Sequence, residues 1–182
     1  MFGFLALWGG EGLKKVGVVM GSDSDLPMMK PCIETLQKLK IPFTVRVLSA
    51  HRTPLAARAF SENARAEGYG VIIAAAGKAA HLAGALAAGS TIPVIGVPVK
   101  SSHLGGMEAL LSTVEMPSGI PVATVAIDGA KNAALLAAEI LSISEDGLAE
   151  QLDAMRVEME TAVLNKDRMI SQEYQCSEEL SV

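Results

Sequence analysis

Residues 49–54 read SAHRTP, which sets an imidazole beside a guanidinium directly after the strand-like run VRVL. Histidine is the side chain suited to moving protons near neutral pH, and the arginine fork complements phosphate or carboxylate. Taken alone, His51 reads equally as a polar loop residue and Arg52 as a surface charge. The neighbouring loops decide between these readings.

Other loops carry residues of the same kind. GSDSD (21–25) offers Gly21 for a tight turn and the Ser22 and Ser24 hydroxyls, with Asp25 at the start of a helix. Free backbone N–H groups there suit an anion such as phosphate, although Ser and Asp are also ordinary helix caps. AGKAAHLAG (76–84) places Gly77 and Lys78 just ahead of His81, and KSSHLGGM (100–107) is polar and rich in glycine. MPSGIP (116–121) is a further glycine-containing loop.

Several chemistries are excluded by pattern. Neither G-x-G-x-x-G nor the Walker pattern occurs, so a mononucleotide-sized phosphate fits better than NAD or ATP. The three histidines, His51, His81 and His103, lie on separate loops with no metal-ligand spacing. No metal is expected, and His103 reads as a surface loop residue. There is no G-x-S-x-G elbow, and Cys32 and Cys176 fit neither a disulfide framework nor a nucleophile's setting.

These loops must be held by the elements between them. Short apolar runs at 16–20, 43–48, 70–76, 93–99 and 121–127 read as strands. Helical spacing fills 27–40, 54–67, 79–89, 106–114 and 129–142, and charged and apolar residues alternate at helical spacing over 145–171. Pro27 and Pro54 suit the first turns of their helices. Strands alternating with helices predict a parallel sheet covered on both faces. The expectation is a single-domain α/β flavodoxin-like three-layer fold: a five-stranded parallel sheet, helices on both faces and a long C-terminal helix. Ligands of such sheets bind beyond the carboxyl ends of the strands, where these loops gather.

The chain of 182 residues fits one domain, and half of it is hydrophobic with only 4% aromatic. That balance suits a buried sheet under closely packed Ala-rich helices. A net charge of −5 argues against non-specific nucleic-acid binding. The apolar start MFGFLALW lacks a basic leader and is too short to span a bilayer, and the 70–99 region is broken by Lys78, His81 and Pro93. No membrane span is expected, and cysteine usage suits the cytoplasm. Residues 1–15 read as an N-terminal extension, mobile or packed on a neighbouring subunit. Residues 16–171 read as the domain and 172–182 as a loose tail.

Taken together, GSDSD (21–25), SAHRTP (49–54), AAHLAG (79–84), PVIGVPV (93–99), MPSGIPVATVAI (116–127) and AKNAALLAAEIL (130–141) resemble the PurE family, in order and at family spacing. The resemblance implies a 5-(carboxyamino)imidazole ribonucleotide mutase of purine biosynthesis. It moves a carboxylate from the exocyclic amine to ring carbon four, needs no cofactor or metal, and assembles as a homo-octamer. It also implies His51 and His81 as catalytic residues and Ser22, Asp25 and Arg52 as substrate-binding residues. Gly21, Ser24, Ser49, Gly77 and Lys78 join the binding set as neighbours in the same loops.

The chain departs from the family where it reads AAAGKAAHLAG (74–84) against AGAGGAAHLPG: Ala75 and Lys78 stand for glycines and Ala83 for a proline. Lys78 either holds the migrating carboxylate or points to solvent; placed at a helix start, it would call for a counter-anion such as the substrate, Glu115 or Asp128. A related branch carboxylates the free aminoimidazole with CO2 directly and reads AHKT where this chain reads AHRT. Arg52 and His81 favour the mutase. The alternatives are that direct carboxylase, a non-catalytic flavodoxin-like nucleotide-binding module, and an oligomer whose loops serve assembly alone.

Overall fold

The computed structural model describes residues 12–174. The apolar start of the chain, Cys176 and the tail from residue 175 lie outside the described residues. Strands β1 (Lys15–Met20), β2 (Phe43–Val47), β3 (Tyr69–Gly77), β4 (Val94–Val99) and β5 (Ala123–Thr124) form one parallel sheet in the order β2-β1-β3-β4-β5. That is the order of a flavodoxin-like sheet, the fold expected from the sequence. Strand order reverses at β1, between β2 and β3, which makes the loops after β1, β2 and β3 neighbours.

Successive strand side chains point to opposite faces, and both faces are buried, so the strands read as continuous apolar runs. Val16, Val18, Met20, Val71, Ile73, Ile95 and Val97 point to one face, under α1 (Leu26–Lys38) and α5 (Ala130–Ser142). Val19, Ile72, Ala74 and Val94 point to the other, under α2 (Pro54–Asn63) and α3 (Leu82–Ala88). The helix α4 (Met107–Val114) covers that second face beside β4, where Thr113 approaches Gly96. Small residues allow this closeness: a Cβ on Gly17 would stand 2.8 Å from Phe60 Cζ.

Several boundaries differ from the sequence reading. The second helix ends at Asn63, short of 67, and the third starts at Leu82 after a bend at Lys78 and Ala79. The fifth strand shrinks from 121–127 to Ala123–Thr124. Beyond it the chain still touches β4 through Val125 N–H to Gly96 O (3.1 Å) and Asp128 N–H to Pro98 O (2.9 Å). Pro98 has no N–H to return, so the ladder stops.

The last helix, α6 (Asp146–Glu173), is 28 residues long and outruns the expected 145–171 at its far end. One stripe carries Leu148, Leu152, Met155, Met159, Val163, Ile170 and Tyr174. Leu148 and Leu152 are buried and Met155 packs on the core, whereas Val163 is 64% and Ile170 59% exposed. No helix among the described residues is long and apolar enough to cross a membrane.

Candidate active site

The loop after β1 begins at Gly21, whose N–H bonds Ala75 O across the sheet. A single 3-10 turn (Asp23–Asp25) follows, capped at both ends of a capping box: Ser24 N–H donates to Ser22 Oγ (3.3 Å), and Ser22 N–H donates to Asp25 Oδ2 (3.2 Å). Ser24 Oγ lies 2.9 Å from Ser22 Oγ. The hydroxyls and the Asp25 carboxylate are thereby fixed ahead of α1, with Pro27 in its first turn. Burial raises the Asp25 carboxyl above its ordinary value. Hydrogen bonds from Ser22 and Ser24 and the charge of Arg52 pull it back, while Asp23 pushes it up.

After β2, the Arg52 backbone N–H donates to Ser49 Oγ (3.1 Å) and Ser49 N–H to Thr53 Oγ1 (2.8 Å), folding SAHRTP into a tight turn before Pro54 opens α2. The Arg52 guanidinium reaches over β1, and Nη2 donates to Gly21 O at 2.7 Å. One arginine thus ties the second loop to the first. His51 stands beside it and meets His81 from the loop after β3: His51 Nε2 lies 2.7 Å from His81 Nδ1, with the ring planes at 88°. His81 occupies the N-cap position of α3 but makes no capping bond with its side chain, so the ring is committed to His51.

Lys78 opens the bend directly after Gly77, with φ of +55°. This left-handed backbone costs a lysine about 1 kcal/mol more than a glycine, which explains why glycine suits this place in the resembling family. Lys78 therefore follows the end of β3 and lies four residues ahead of α3, farther from the helix start than the expected helix over 79–89 would place it. Asp128, one suggested counter-anion, instead accepts the backbone N–H of Lys100 at 2.9 Å.

All ten residues singled out from the sequence line one cleft of about 520 Å3: Gly21, Ser22, Ser24, Asp25, Ser49, His51, Arg52, Gly77, Lys78 and His81. That size suits a small ligand. The sequence reading noted the polar loop after β4 but left Lys100, Ser101 and Ser102 out of the binding set, and they line the cleft as well. Ser101 donates to Glu108 at the start of α4 and accepts His103 N–H (3.3 Å). A Cβ on Gly106 would stand 3.1 Å from Lys100 Cα, so this loop is packed against itself. The polar run after an apolar strand was the available signal. His103 is exposed and does not line the cleft.

The arrangement lacks a nucleophile of the cysteine kind. Cys32 is fully buried in α1, and desolvation pushes its thiol up to about 12. No cluster of three or more His, Cys, Asp or Glu suited to a metal occurs among the described residues. What remains is a corner of serine hydroxyls and the Arg52 guanidinium beside a hydrogen-bonded pair of imidazoles.

Known proteins share this chain's sequence and shape. Residues 15–162 match the AIR carboxylase family model. The N5-carboxyaminoimidazole ribonucleotide mutase of Pyrococcus abyssi is 55% identical over 81% of this chain and 85% of its own length. That of Thermotoga maritima is 48% identical over 88% and 94%. The crystal structure of Treponema denticola PurE superposes with a TM-score of 0.78 at 28% identity, covering 85% of this chain and 96% of that one. With the family matched from β1 into α6 and relatives this similar along nearly their whole length, the chain belongs to the AIR carboxylase family.

Proposed function

We propose that this chain is a mutase of purine biosynthesis that converts 5-(carboxyamino)imidazole ribonucleotide to 4-carboxy-5-aminoimidazole ribonucleotide, with His51 and His81 as its proton relay. Relatives about half identical carry the mutase name. The observation that carries the relay is the 2.7 Å contact between two imidazoles inside the cleft.

The chemistry requires one proton to change places. The carbamate C–N bond breaks, CO2 departs, and the nitrogen takes up a proton. Ring carbon four then attacks CO2 with its enamine electron pair, and the proton on that carbon leaves to restore the aromatic ring. Because His51 Nε2 and His81 Nδ1 share one hydrogen, the outward atoms are His51 Nδ1 and His81 Nε2. In each neutral tautomer one of these carries hydrogen and the other is bare. The pair therefore donates at one end while accepting at the other, and the shared hydrogen resets it. Confinement in the cleft keeps CO2 at high effective concentration beside carbon four.

Ser22, Ser24 and Arg52 supply donors for the phosphate, and Asp25 accepts from ribose hydroxyls; Gly21 and Gly77 let the backbone approach. Copies of the chain assemble, as an octamer by the family resemblance, in the cytoplasm. In support, Met107, Leu111 and Val114 form an exposed stripe on α4 next to the cleft wall, each about half exposed.

An ultraviolet assay offered both the carboxyamino ribonucleotide and the free aminoimidazole ribonucleotide with CO2 tests this reading. Faster conversion of the carbamate is expected. Preferential use of free CO2 would make the chain a direct carboxylase, and binding without turnover a nucleotide-binding module.

A further inference from the structure

The loop ends of the sheet are ordered in space. Arg52 and Ser22 follow β2 and β1, while Lys78 and Lys100 follow β3 and β4. Gly77 and Val99 are partners in the β3–β4 register, so the two lysines that follow them begin on neighbouring strand ends, about 4.8 Å apart in the sheet direction. Both line the cleft. Neither makes an ion pair among the described residues, where the pairs are Arg58–Glu62 and Arg156–Glu139. The cleft wall thus carries Arg52, Lys78 and Lys100 against the single carboxylate of Asp25.

We propose that Lys78 and Lys100 form a cationic clamp for the carboxylate of the substrate, at the end of the cleft opposite the phosphate corner. This rests on the mutase reading above and names two residues that bind the migrating group. The ligand brings a phosphate close to doubly charged at neutral pH and one carboxylate. The Arg52 end meets the first, and the lysine pair meets the second. Two ammonium groups on adjacent strand ends repel each other until an anion lies between them. Lys100 is held for this task by the bond from its backbone N–H to Asp128, and Lys78 keeps a backbone conformation that favours glycine. The histidine pair spans β1 between the two ends, beside the carbon that receives the carboxylate.

Calorimetry with two stable ribonucleotides tests the clamp. One is 4-carboxy-5-aminoimidazole ribonucleotide, and the other is the same molecule lacking the carboxylate. Lys78→Gly and Lys100→Gln should each weaken the carboxylated ligand about tenfold or more, and the other ligand less than about threefold. Lys78→Gly relieves the left-handed lysine, so its thermal midpoint should not fall; Lys78→Gln, which keeps a polar side chain there but removes the charge, should show the same selectivity. Equal weakening of both ligands, or unchanged affinity for the carboxylated one, overturns the clamp while the parent still binds both. A parent that binds neither ribonucleotide overturns the mutase reading, and the clamp with it.

Discussion

The rings of His51 and His81, thirty positions apart in the chain, share a hydrogen bond of 2.7 Å at nearly perpendicular planes. This contact exists because β2 and β3 flank β1, so the loops after them meet above its end.

If the two rings act as one relay, their losses should not add. His51→Asn and His81→Asn should each lower turnover by about a hundredfold or more. The double variant should be little worse than either, as for groups that work as a unit. Binding of the ribonucleotide should persist in all three. A folded His51→Asn protein with near-parental turnover would remove the relay.

Arg52 has two duties: its guanidinium bridges to Gly21 O, and it faces the cleft. Arg52→Ala should weaken the phosphorylated ligand by roughly 1.5–3 kcal/mol, about tenfold or more. Arg52→Lys should recover only part, because an ammonium lacks the planar fork. Affinity measured by titration, set beside the thermal midpoint, separates the ligand contact from the bridge. Unchanged affinity in Arg52→Ala would leave the bridge as its sole duty.

Asp25 predicts a pH signature. Its carboxyl is raised in the fold, chiefly by burial, so it is harder to ionise folded than unfolded. Its contribution favours the fold below the ordinary value of 3.8 and is lost as pH rises through the native value. Asn at this position still accepts the Ser22 N–H. Asp25→Asn should therefore melt slightly higher than the parent at neutral pH, with the gap closing toward about pH 4, and bind the ribonucleotide more weakly. A lower midpoint for Asp25→Asn at neutral pH would contradict this, and thermal scans at the two pH values decide it.

Assembly is testable by light scattering. The exposed stripe of Met107, Leu111 and Val114 on α4 predicts a multi-subunit particle at micromolar concentration, and Leu111→Glu should reduce its mass. A monomeric parent would refute the octamer.

Much of the site was legible because each loop directly follows an apolar strand, and strand ends are where such a sheet places its chemistry. The SAHRTP and GSDSD turns are local structures, built from residues a few positions apart, so the sequence carries them. The joining of His51 to His81 is not local. It depends on strand order, which the alternation of strands and helices leaves open. Lys100 was left out of the binding set for a similar reason: its place in the cleft depends on the Gly77–Val99 register. The shortened β5 reflects a missing donor on the neighbouring strand, at Pro98, which the run PVATVAI does not itself contain. Lys78 was singled out as a substituted glycine, and the φ of +55° supplies the physical reason for the substitution's cost.

At about 1.5 Å per residue, α6 reaches roughly 42 Å, and beyond Met155 its side chains are exposed. A helical stretch of that kind has little to hold it in water, since short helices unsupported by packing are marginal. Amide protons past Met155 should then exchange with solvent far faster than those near Leu148, except where another surface shields them. The outer half of α6 is in this sense a gauge attached to the domain, its exchange rate reading how much of the chain's periphery is covered at a given concentration.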